Sequence, residues 1–448
     1  MRRPERPVPV NYACVNKNCL GIAIVLSSVV SWEARAARSP RSISVAEENL
    51  SVPEEGAIYV RGTRIELPLD LRILIQDFQS GKLNFSGLEL SDEKGRKIPG
   101  ETLSCKRRER KRLLIDLGDF LHADDWVCEA PGFKRALTQT LRLTVRAGFV
   151  ALNHNMLFRG AVELVPRGNG KLSLVNDLDM ESYLAGLVNM EIRSDYPAEA
   201  VKAQIIAARS YALAVAAERR KGREFYDLVG SEFDQVFQGS HVEDAQSYKL
   251  VQKTRGVVLF HREDVLKAYY HSSSGGYSEI PENVWKNGRK EPDHLAYLAR
   301  QSPVDNDVAA SKWQVTLSPK VGWIWPEVGQ LTDVQVLERS SGRRVKKIRL
   351  MGENGTLTLT GTEFRRRLGN RWLKSTFFFV KKIGANWILE GRGFGHGVGL
   401  SQLGAREMAN RGKKTTEILS FYYPFTSLRR LDLVPRPKPL EIRQLGAR

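Results

Sequence analysis

The 448-residue sequence predicts an α+β fold, with a small β-rich domain followed by a larger mixed domain, and three observations carry that reading. Short alternating runs between 57 and 147, separated by Gly- and Asp-rich turns, have the period and punctuation of strands. Residues Met180, Tyr183, Leu184, Leu187 and Val188 recur at the i, i+3, i+4, i+7, i+8 spacing of one buried helix face. An Ala-rich stretch then runs from Pro197, whose fixed φ suits a first helical turn, to about Arg220, and reads as the longest helix.

Taken in order, the chain opens with Arg2, Arg3, Arg6 and Lys17, an apolar run over 20–30, and small residues at Ala34-Arg35-Ala36. That is a signal-peptide layout, so 1–36 is expected to be a leader and the protein exported to periplasm, cell wall or medium. The run is shorter than the roughly 20 residues a bilayer span requires, which disfavours a retained anchor. Polar residues 37–56 read as a linker and 57–147 as the β-rich domain. After the leader only Cys105 and Cys128 remain, either as a disulfide or as two separate buried thiols.

Two strand-like runs flank Arg167-Gly168-Asn169-Gly170, a turn containing Asn-Gly, so a hairpin feeds the first helix. Asp177 or Asp179 caps that helix, and Glu191 lies at its end on the buried face. Along the second helix Gln204, Ala208 and Tyr211 share one flank. Strands at 257–260 and 265–270 precede a serine-glycine loop at 272–276. A strand-rich region with a short helix near 362–368 follows. A glycine-rich segment from Gly391 then leads into a helix through Met408, and a basic, proline-rich tail occupies 431–448.

Chemistry concentrates at few positions. A carboxylate on an apolar helix face is either ion-paired or kept dry enough that its pKa rises toward use as a proton donor, and pattern alone leaves both open for Glu191. Five glycines surround His396 ahead of Ser401-Gln402; they permit close backbone approach to a ligand, while His396 itself reads equally as a structural imidazole. The serines after His271 are a flexible turn or a set of hydroxyls for a sugar, with no nucleophile elbow beside them. The 7 histidines show no metal-ligand spacing, and no cofactor is implied. The net charge of +18 favours polyanions without choosing among nucleic acid, anionic lipid and acidic glycan; the export signal sets nucleic acid aside.

Several segments together resemble the SpoIID/LytB family: NDLDMESYLAGLVNMEI, YPAEAVKAQIIAARSYAL, FDQVFQG at Phe233, AYYHSSSGG at Ala268, TGTEFRRRLG with LKSTFF, GRGFGHGVGLSQLGAREMA and ILSFYYPFTSL. The resemblance covers about 156–429 and implies a two-part SpoIID-like α+β domain over 148–430, with a cleft between the half carrying Glu191 and the half carrying His396. It further implies a lytic transglycosylase acting on peptidoglycan glycan strands, with Glu191 as acid/base. Gln204, Arg209, Tyr211, Ser273, His396 and Gln402 are then candidates for binding the sugar. Relatives of the LytB branch imply the alternative of a non-catalytic glycan binder that assists a cell-wall amidase. Some SpoIID proteins hold zinc through histidine and cysteine after the long helix; here 222–243 contains His241 and no cysteine, so no zinc is expected.

Overall fold

The computed structural model describes residues 48–50, 57–66, 69–107, 126–285, 296–302, 311–320 and 324–431. The leader, the linker and the basic tail lie outside the described residues, apart from 48–50 and 431. The α+β class holds, with strands dominating the first third.

Two sheets build that first third. Met156–Phe158, Val150–Leu152, Lys82–Ser86, Thr102–Arg107, Trp126–Ala130 and Phe133–Ala136 form a six-stranded antiparallel sheet in that order. The second sheet has the order Leu228–Val229, Asp70–Phe78, Lys171–Asp179, Ala161–Arg167, Leu141–Leu143. Alternating side chains from both sheets, among them Phe85, Leu103, Trp126, Leu164 and Leu174, share one core. Strand pairing therefore crosses the expected boundary near 147: the early strand Asp70–Phe78 lies against Lys171–Asp179 along its length. A strand's hydrogen-bonding edges are satisfied by whichever neighbour the core brings alongside, which local sequence does not reveal.

The hairpin forms as expected, with Arg167 opposite Lys171 around a single 3₁₀ turn over Gly168–Gly170. Cys105 and Cys128 are opposite residues on adjacent strands and are joined as a disulfide, with a sequence separation of 23. Closing a loop of that size stabilises by about 3 kcal/mol in the chain-entropy model. Replacing both cysteines by serine is accordingly expected to lower unfolding free energy by about that amount; urea melts of both proteins measure it, and thiol labelling of the unreduced parent should find neither free.

The helical half follows. Helix α1 (Met180–Glu191) starts at Asp179, whose carboxylate accepts from the N–H groups of Glu181 and Ser182 at 3.1 Å. Helix α2 (Ala198–Lys221) starts after Pro197 and is long and apolar enough to cross a bilayer, yet almost all of it is buried inside the protein. It is the axle of the largest core, which also takes in α1 and the helices Ala245–Lys253, Gln402–Asn410 and Thr415–Tyr422. A third core lies within 317–389, where Trp325 stacks on Phe364 at 5.3 Å with the rings 3° from parallel. Phe364 belongs to the helix Gly361–Leu368, started by a capping box between Thr360 and Glu363.

Candidate functional site

A cavity of about 650 Å³ opens where these halves meet, and Glu191, Tyr211, His396 and Gln402 line it together. Four segments distant in sequence build it. The C-terminal end of α1 supplies Glu191. The segment after α2 supplies Phe233, Asp234 and Val236, and it can lie close because Gly186 of α1 has no side chain: a Cβ there would stand 2.8 Å from the Phe237 ring. The short strands Tyr270–His271 and Leu400–Ser401 pair in parallel, Tyr270 opposite Leu400, which sets Gln402 beside the first strand. Gly395, at φ +107°, lies so close to His271 that a Cβ would meet the histidine Cβ at 2.8 Å.

Glu191 is half-buried, and its hydrogen bonds come from three of these segments. The Val236 N–H donates to Oε1 at 2.8 Å, Gln402 Nε2 reaches Oε2 at 3.4 Å, and the Tyr270 hydroxyl also hydrogen-bonds to the carboxyl. Desolvation by the surrounding protein pushes the Glu191 pKa above the usual carboxylate range, and those three donors only partly oppose it. No cation lies within ion-pairing distance of Glu191 among the described residues, so of the two alternatives open in the sequence the dry acid is the one the fold builds. Tyr270 is itself oriented: Gln235 Nε2 donates to its oxygen at 3.1 Å, while Gln235 Oε1 accepts from Tyr183 at 3.0 Å. With its oxygen already accepting, Tyr270 has its proton free to point at Glu191. Burial and the nearby Glu191 charge push the Tyr270 phenol well above its ordinary pKa, so it stays a donor.

A raised pKa has a thermodynamic sign. The folded protein holds the Glu191 proton more tightly than the unfolded chain does, so stability is lost as pH rises from the unfolded pKa through the folded one. Glu191→Gln removes that loss. The variant is expected to melt at higher temperature than the parent at about pH 7–8, and the gap should close near pH 4 and below, where the carboxyl is protonated in both states. Calorimetry at the two pH values reads this directly.

His396 is held neutral. Its Nδ1 accepts from the Val398 N–H at 3.0 Å, its other nitrogen bonds to the Tyr270 backbone, and burial with the charges of His271, Arg344 and Arg365 pushes its pKa well below the ordinary value. Both nitrogens serve the backbone, so the ring offers the cavity a surface, 5.2 Å between centroids from Trp285. Tyr211 donates to Asp234 at 3.4 Å, which in turn is ion-paired to Arg219 at 2.6 Å.

The remaining candidates lie elsewhere. Gln204 is fully buried within α2, two turns before Tyr211, and does not reach the cavity. Arg209 makes a buried two-pronged ion pair with Glu181, Nε to Oε1 at 3.0 Å and Nη2 to Oε2 at 2.7 Å, and donates to the Val257 carbonyl; it ties α2 to α1 and the next strand. Ser273 is fully buried, its backbone bridged to Phe394, and its neighbour Ser272 lines the cavity instead. Tyr270, Gln235, Trp285, Arg365 and Arg371 were not among the expected residues. For Tyr270, Gln235 and Arg365 a signal existed, since all three stand in motifs that carried the resemblance.

The site is thus a half-buried carboxyl with a raised pKa, hydrogen-bonded by a tyrosine and open to a cleft. Comparison with known proteins is more particular: residues 168–261 match the family described as Stage II sporulation protein (SpoIID). Residues 312–399 match a domain of unknown function (DUF8618). An uncharacterised protein of Brachyspira hyodysenteriae is 28% identical over 283 residues, 59% of this chain and 70% of that protein. Stage II sporulation protein D of Bacillus amyloliquefaciens is 28% identical over 58% of this chain and 76% of its own length. The amidase enhancer of Bacillus subtilis is 28% identical over 55% of this chain, which spans only 40% of that longer protein.

Proposed function

We propose that this is an exported cell-wall protein that cleaves peptidoglycan glycan strands as a lytic transglycosylase, with Glu191 as its acid/base. The observation that carries the reading is the Glu191 carboxyl itself, pushed up by burial and open to a cavity wide enough for saccharide rings. Protonated Glu191 donates to the oxygen joining MurNAc to GlcNAc. The carboxylate so formed then accepts the MurNAc C6 hydroxyl proton as that oxygen closes a 1,6-anhydro ring, returning the acid to its starting form. One group serves both steps in turn, so no second carboxylate at hydrolase spacing is required. The Tyr270 and Val236 donors stabilise the carboxylate between the two steps, and Trp285 and His396 offer ring surfaces to the sugar.

Purified protein incubated with intact and with amidase-treated peptidoglycan tests this by mass spectrometry: anhydro-ended fragments are the expected product. A reducing-end MurNAc would make the protein a hydrolase. The similarity to an amidase enhancer favours one alternative, a glycan binder that assists a cell-wall amidase. That reading takes over if neither substrate is cut yet the rate of an added amidase rises.

A further inference from the structure

Taking the cavity as a saccharide site, as proposed above, we propose that Arg365 and Arg371 form an anion-reading wall that receives a carboxylate carried on a sugar ring bound beside Glu191. Both residues line the cavity, and both lie within 312–399, the stretch that matches a domain of unknown function. Their charges stand uncompensated. Arg365 donates from Nε to the Leu373 carbonyl at 2.8 Å and from Nη2 to the Asn370 carbonyl at 3.5 Å, both neutral acceptors, and no carboxylate lies within ion-pairing range of it among the described residues. Arg371 is exposed and makes no ion pair among the described residues.

The other charges of the cavity are differently placed. Lys267 is paired with Glu218 at 2.7 Å and Asp234 with Arg219. Glu232 is exposed and acts on Arg365 only at longer range. Desolvation and the neighbouring Arg344 cation push the Arg365 pKa down to about 10, and the exposed Glu232 opposes them only in part. An anion arriving there relieves that cost, and a planar carboxylate suits the guanidinium fork. Phe233, 85% exposed, and Phe394, 38% exposed, stand at the same cavity as apolar faces for sugar rings. Apolar faces beside two unsatisfied cations describe an acidic saccharide better than a neutral one.

Binding of three tetrasaccharides, measured by calorimetry on the full chain carrying Glu191→Gln so that no probe is consumed, tests the assignment. The probes are a GlcNAc–MurNAc tetramer with free lactyl carboxylates, the same tetramer with its carboxyls methylamidated, and the neutral GlcNAc tetramer. The free acid is expected to bind about ten-fold more tightly than its methylamide. Arg371→Gln, exposed and so without consequence for folding, should remove most of that preference, and adding Arg365→Gln should remove the rest, with melts of the double variant checking that it folds. Equal binding of acid and methylamide, or a preference intact in the double variant, overturns the wall while leaving the saccharide site standing. If none of the three probes binds, the saccharide site falls and the wall with it.

Discussion

Glu191→Gln is expected to abolish release of anhydro-ended glycan, a loss of about 10² to 10⁴ in rate or more, since the group acts in both half-steps. The amide keeps the side-chain shape and can still accept the Val236 N–H, so the cavity should persist; on the same proposal glycan binding, shared among the lining residues Tyr211, His396 and Gln402 and the aromatic faces, should survive. On the proposed mechanism the active form of the parent is the protonated acid. Its rate should fall as pH rises through the Glu191 pKa, at a pH above the ordinary carboxylate range because burial has moved the group upward. A kinetic series across pH, paired with melts of the variant, separates loss of chemistry from loss of fold. An unchanged rate in a folded variant would remove Glu191 from the reaction.

The second large effect falls on stability. Arg209→Leu should destabilise by about 3–5 kcal/mol, because Glu181 is then left as a buried carboxylate without its partner. Leu replacing both residues should recover much of that loss, since burying a pair costs desolvation that two apolar groups avoid. Urea denaturation of parent, single and double variants measures both values. If Arg209→Leu instead melted like the parent but failed to bind glycan, the arginine would serve the sugar and the ion pair would be incidental.

Local pattern revealed the helices well and the sheets poorly. The helical face from Met180 to Val188, the cap at Asp179 and the start at Pro197 all depend on residues within a few positions of one another, and all appear where spacing placed them. The pairing of Asp70–Phe78 with Lys171–Asp179 joins strands about a hundred residues apart, and nothing in either names the other. The site divides the same way. The helix face placed Glu191 inward and the resemblance singled out both it and Gln402, whereas Val236 and Tyr270 converge on the carboxyl only through tertiary contacts. Arg209 shows the opposite failure: a polar side chain on a core helix looked available for a ligand, and Glu181, a full 28 positions away, had already claimed it.

The environment that makes Glu191 unusual is assembled late. Gln402 stands 211 positions from it, and Tyr270 reaches it only once two short strands have paired across more than a hundred residues. A chain in which these segments have not come together carries a solvent-exposed glutamate of ordinary acidity. The raised pKa of Glu191 is thus a property of the completed fold, absent until the last of these segments has docked.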